Sequence, residues 1–110
     1  MDLPYIAVLM TVADKNGAVE IVHRLLHERL IACANIVAPA SSLFLWEGKI
    51  DESDELLVIM KSRRELFPQL SGRIREMHTY QVPEIIALLV IGGSLPYLYR
   101  LGASLHPVGE

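Results

Sequence analysis

At 110 residues, with ten basic side chains against thirteen acidic ones and a formal charge of −3, the chain is sized for one domain and carries no basic stripe of the kind that grips nucleic acid through phosphates. A single cysteine excludes an intramolecular disulfide, no secretory signal pattern opens the chain, and no apolar run approaches the ~20 residues of a membrane span. A reducing, cytoplasmic location with neither a membrane nor a nucleic-acid partner is therefore expected, while a hydrophobic content of 52% is high for a soluble domain this small and has to be buried somewhere.

The first predicted element is a strand over Tyr5–Val12, a continuous apolar run opened by Pro4. Asp14 or Asn16 then offers an N-cap for a helix in which Ala18, Val22, Leu25, Leu26 and Leu30 recur at helical spacing. Glu20 and Arg24 lie off that stripe as an i,i+4 pair of favourable orientation. From Ile31 to Lys61 the sequence reads as a long hairpin of two extended segments, joined by a polar turn running from Glu47-Gly48-Lys49 through Ser53-Asp54. Pro39 marks an edge, bulge or bend in the first arm, because proline has no N–H for a ladder.

A second helix is predicted from about Glu65 to Met77, with Leu66, Leu70, Ile74 and Met77 on one face and Pro68 in its first turn. Gly72 inside it costs ~1 kcal/mol relative to alanine. His78–Pro83 is a loop, Glu84–Ile91 a last strand ended by Gly92-Gly93-Ser94, and Leu95–Leu101 a short terminal helix. Residues 102–110 read as a frayed tail to a single domain whose ordered core is about 3–101.

The order β-α-β-β-α-β plus a helix specifies an α+β, ferredoxin-like sandwich, its two right-handed crossovers placing both helices on one face of a four-stranded sheet. A sheet covered on one face should alternate apolar with polar, yet IAVLM, LLVIM and IIALLVI are apolar throughout. The second face is therefore expected to be buried against another copy of the chain.

Enzyme signatures are missing: there is no Gly-rich phosphate loop, nucleophile elbow, H-E-x-x-H or C-x-x-C. Glu84 near His78 is the one candidate acid/base pair, and no catalytic role is expected. Cys33, between Ala32 and Ala34, reads as a small core residue. His23 and His27, one helical turn apart, are able to present two imidazoles to a metal, but with no third ligand nearby a solvated polar face is the favoured reading. Met10, Met77 and His78 together offer two thioethers and an imidazole, a donor set for a soft cation such as Cu(I). The acidic cluster from Glu47 to Glu55 reads as a solvated hairpin tip.

Five blocks carry a resemblance: Ala32-Cys33-Ala34-Asn35-Ile36, Trp46-Glu47-Gly48-Lys49-Ile50, Lys61-Ser62-Arg63-Arg64, His78-Thr79-Tyr80-Gln81-Val82-Pro83-Glu84-Ile85 and Tyr97-Leu98. In this order, over about Leu3 to Leu101, they resemble the CutA divalent-cation-tolerance family. The resemblance implies a tight homotrimer with hairpin arms pairing across subunits, similar in architecture to trimeric PII signalling proteins. It implies a role in metal homeostasis, with copper as a proposed ion, mapping onto Met10, Met77 and His78. Methionine stands here at two positions where a cysteine and a histidine occur, which favours Cu(I) over Cu(II). Leu45, Thr79 and Arg100 depart from the family's aromatic, proline and tryptophan. The alternative expectation is a PII-like small-ligand sensor, without catalysis or organic cofactor, whose inter-subunit cleft is lined by Trp46, Lys49, Tyr80 and Glu84 and suits a small anionic ligand.

Overall fold

A computed structural model describes residues 3–107. The strands are β1 (Tyr5–Val12), β2 (Cys33–Trp46), β3 (Lys49–Arg63) and β4 (Ile85–Leu89), and the helices α1 (Lys15–His27), α2 (Phe67–Met77) and α3 (Leu95–Ser104). A short 3-10 turn, Arg64–Leu66, leads into α2. The sheet order is β2-β3-β1-β4 with antiparallel neighbours throughout, the arrangement that two crossovers on one face require.

Along β1 the period of two is plain in burial, though not in polarity. Ile6, Val8, Met10 and Val12 are at most 3% exposed, while Tyr5, Ala7, Leu9 and Thr11 between them stay partly open. The buried set packs with Val58 and Met60 of β3, with Ala18, Ile21, Val22 and Leu25 of α1, and with Leu70 and Ile74 of α2. Ser62, fully buried in the same layer, donates its hydroxyl to the Leu30 carbonyl at 2.6 Å, so the core holds a polar group without leaving it unpaired.

Local chemistry sets the ends of these elements. Asp14, in extended backbone, accepts from the Gly17 N–H at 2.7 Å and starts α1. Pro68 occupies the first turn of α2, where its missing N–H is harmless. In the hairpin, Glu47 and Gly48 have φ of 51° and 79°, a two-residue turn with both central residues left-handed. The turn is therefore far tighter than the polar stretch suggested. Asp51, Glu52, Asp54 and Glu55 lie on β3, opposite Phe44, Leu43, Ser41 and Ala40, because a hydrogen-bonded ladder accepts charged side chains on a face that water still reaches. The β2–β3 register shifts between Val37 and Ala40, around Pro39 and a cis Ala38–Pro39 bond.

β1 pairs with β3 over Leu56–Arg63, so beyond that span the hairpin continues as a two-stranded ribbon, drawing the molecule out to 44 × 26 × 22 Å. Leu43, Leu45, Trp46 and Ile50 on the ribbon are 62–76% exposed. On the sheet face away from α1 and α2, Val37, Ile86 and Leu88 are each about half exposed. The last helix is longer than expected. It runs through Ser104, Leu101 and Leu105 are each 3% exposed, and the His106 N–H donates to the Arg29 carbonyl at 2.8 Å. Apolar residues at 98, 101 and 105 continue the helical stripe, and their burial holds as much of the expected tail as is described, residues 102–107.

Candidate functional site

The loop from His78 to Glu84 is tied down at both ends of a short relay. His78 closes α2, its backbone N–H donating to the Ile74 carbonyl at 2.8 Å. Its Nδ1 accepts from the Tyr80 N–H at 3.0 Å, and Nε2 lies 2.7 Å from the Thr11 carbonyl oxygen. An acceptor at Nδ1 puts the proton on Nε2, which then donates to Thr11. Both ring nitrogens are thus engaged by backbone. The Tyr80 ring stands 4.7 Å from the imidazole, and its hydroxyl donates to Glu55 Oε2 at 2.6 Å. Burial first, and the neighbouring carboxylate second, push the Tyr80 phenol up to about 12.

Glu55 is 8% exposed and sits where the ribbon leaves the sheet. From there a groove opens between the ribbon and the His78–Glu84 loop. Its outer part, about 540 Å³, is walled by Phe44, Trp46, Asp51, Ser53, Glu55 and Tyr80. Its inner part, about 460 Å³, adds Thr11, Ser41 and Glu84 and shares Phe44, Glu55 and Tyr80. Neither part has a lysine or arginine among its lining residues. Phe44, Trp46, Asp51 and Glu55 share one face of the ribbon and Tyr80 and Glu84 come from the loop, so aromatic rings and carboxylates alternate around the lining.

Of the residues expected to form a cleft, Trp46, Tyr80 and Glu84 do line this groove. Lys49 is not among the lining residues, although it pairs across the turn with Trp46 and lies two residues before Asp51 on the same strand face. The sequence reading missed Phe44, Asp51, Ser53 and Glu55. The last three follow one another at i, i+2 and i+4, one face of a strand, a signal hidden by taking this stretch for a turn.

The three soft donors occupy different surroundings. Met10 is fully buried in the core, opposite Val58 and Ile85. Met77 and His78 line a separate cavity of about 120 Å³ with Asp14, Glu20 and Ile21. Among the described residues, no group of three or more His, Cys, Asp or Glu side chains is placed to hold a metal ion within one copy. Cys33 lies toward the other end of the sheet, its Sγ 3.4 Å from the Tyr97 hydroxyl, an interaction that raises the Tyr97 phenol above its ordinary range.

Comparisons with known proteins agree on one family. The family described as "CutA1 divalent ion tolerance protein" matches residues 6–102. "Divalent-cation tolerance protein CutA" of Thermus thermophilus is 42% identical over 91 residues, covering 83% of this chain and 88% of that one. "Protein CutA 1, chloroplastic" of Oryza sativa is 40% identical over 96 residues, covering 87% of this chain but 54% of that one, so the match spans about half the length of the rice relative. A solved structure of CutA1 from Oryza sativa superposes with a TM-score of 0.91 at 38% identity, over 96% of either chain.

Proposed function

The chain belongs to the CutA1 divalent ion tolerance family, and from that premise we propose that it serves metal homeostasis as a non-catalytic homotrimer that holds a cation in grooves closed by neighbouring copies. The observation that carries this reading is the groove itself: Asp51 and Glu55 line its outer part and Glu55 and Glu84 its inner part, with no lysine or arginine among the lining residues. Among the described residues, one copy supplies too few converging donors to hold a metal, and the partly bare sheet face and ribbon give a reason for other copies to close over it. Trp46 is the only tryptophan in the sequence and lines the groove. Titration with Cu(II) should therefore quench its fluorescence, and Glu55→Gln should weaken that response. Quenching identical in wild type and variant would remove the groove as the site.

A second reading keeps copper or another soft ion at Met10, Met77 and His78. Its support is that Met77 and His78 share one cavity, but binding would require His78 to release Thr11 or Tyr80. Titration with Cu(I) against a competing chelator separates the two, since a Met77→Ala, His78→Ala double variant loses affinity only under the second reading. The groove's volume also admits a small organic molecule. A cationic metabolite that raises the melting temperature in wild type but not in Glu55→Gln would turn the reading toward ligand sensing.

A further inference from the structure

α1 presents a second set of donors, away from the groove. Its buried residues are Ala18, Ile21, Val22 and Leu25. At 100° per residue these centre on one direction, and Glu20, His23 and His27 all fall within about 30° of the opposite one. His23 and His27 are exposed and line a single shallow depression of about 340 Å³ with Arg24 and Glu28. The charges beside them are matched to one another: Glu20 lies 3.7 Å from Arg24, and Glu28 lies 3.0 Å from the Arg73 Nε. Neither imidazole takes part in these pairs. This is the reverse of His78, whose two nitrogens are both engaged.

We propose that His23 and His27 form a surface chelate for a borderline divalent transition cation, of the class Cu(II), Ni(II) or Zn(II). Imidazole suits these ions, and two histidines one helical turn apart on the same face reach a single ion. Water fills the remaining positions. Glu28, in the same depression, is held by Arg73, and among the described residues no third His, Cys, Asp or Glu completes the set. The Arg24 charge opposes the incoming ion, so the site binds less tightly than an enclosed one. α1 covers the sheet face opposite Val37, Ile86 and Leu88, so the site lies apart from the open face that the proposed assembly covers. It stands independently of the groove.

The test is Cu(II) titration of the full chain, followed by imidazole NMR signals. The sequence has four histidines: His23 and His27 should broaden at substoichiometric metal ahead of His106, whereas His78, next to Tyr80, reports metal in the groove. By isothermal titration, His23→Ala and His27→Ala should each weaken Zn(II) binding about tenfold or more, and the double variant should be little weaker than either, since a chelate needs both arms. Wild-type affinity in either single variant, or His23 and His27 signals that broaden no sooner than that of His106, overturns the proposal. Both side chains are exposed, and unchanged melting temperatures would show that the variants fold. Glu55→Gln leaves this chelate in place, so failure here and failure at the groove read out separately.

Discussion

Tyr80 is the residue on which the groove's inner wall turns. Its hydroxyl serves the nearly buried Glu55, and its backbone N–H fixes the tautomer of His78. Tyr80→Phe should cost about 1–3 kcal/mol in denaturant unfolding, because a buried acceptor loses its donor while the ring stays in place. The phenol also sets a pH dependence. Its value in the fold, about 12 against an ordinary 10, favours the protonated form. The stability that follows is complete below pH 10 and is lost as the pH rises through about 12. Ultraviolet titration should show a late-ionising tyrosine that Tyr80→Phe removes; wild-type and variant curves differing only by a tyrosine of ordinary value would contradict the assignment. His78 should appear as the Nε2–H tautomer in nitrogen NMR, whereas an Nδ1–H tautomer would break the relay. None of these pairings was legible in the sequence. Thr11 and His78 are 67 residues apart, and Tyr80 and Glu55 are 25 apart, so their meeting is decided by which strands are neighbours.

At the scale of elements, the sequence was read well wherever local chemistry decides. Asp14, one of two candidate caps, starts α1, the stripe Ala18, Val22, Leu25 and Leu30 is buried while Leu26 is left exposed and Ile21 takes a place in the core, and Pro39 sits at the register shift. It was misread where charge stands in for geometry. Six charged residues from Glu47 to Glu55 look like a solvated loop, but two of the turn residues, Glu47 and Gly48, suffice to reverse the chain. Once β3 begins at Lys49, alternation puts Lys49, Asp51, Ser53 and Glu55 on one face, and the last three line a cleft whose carboxylates the sequence reading assigns to a loop. Two helical glycines give a paired test. A Cβ at Gly72 would meet nothing within 4 Å, whereas one at Gly102 would come 2.6 Å from the Tyr5 hydroxyl and 3.3 Å from an Arg63 nitrogen. Gly72→Ala should therefore stabilise the fold by about 0.5–1 kcal/mol. Gly102→Ala should destabilise it by about 1 kcal/mol, the low end for overpacking, since the ends of the Tyr5 and Arg63 side chains have to move aside. Thermal unfolding of the two variants checks both signs.

For the whole molecule, the sequence pattern and the structure raise the same issue: apolar surface that its own helices leave open. α1 and α2 cover the face carrying Val8, Met10, Val58 and Met60, and α3 reaches only the Tyr5–Arg63 end of the other. Val37, Ile86 and Leu88 remain half exposed, Trp46 and Ile50 more so, and the ribbon bearing the last two is a two-stranded hairpin of the kind that is marginal alone in water. The proposed trimer covers this surface and closes the acidic groove in one step. Ile86→Lys, which sets a charge opposite Leu9 in the open face, should break the assembly and with it the metal-dependent quenching of Trp46. Sedimentation velocity of the unmodified chain is the most direct test. The account predicts one species of three times the 12.3 kDa subunit mass, persisting on dilution; a stable, monodisperse species of 12.3 kDa with its β surface open to water would contradict it.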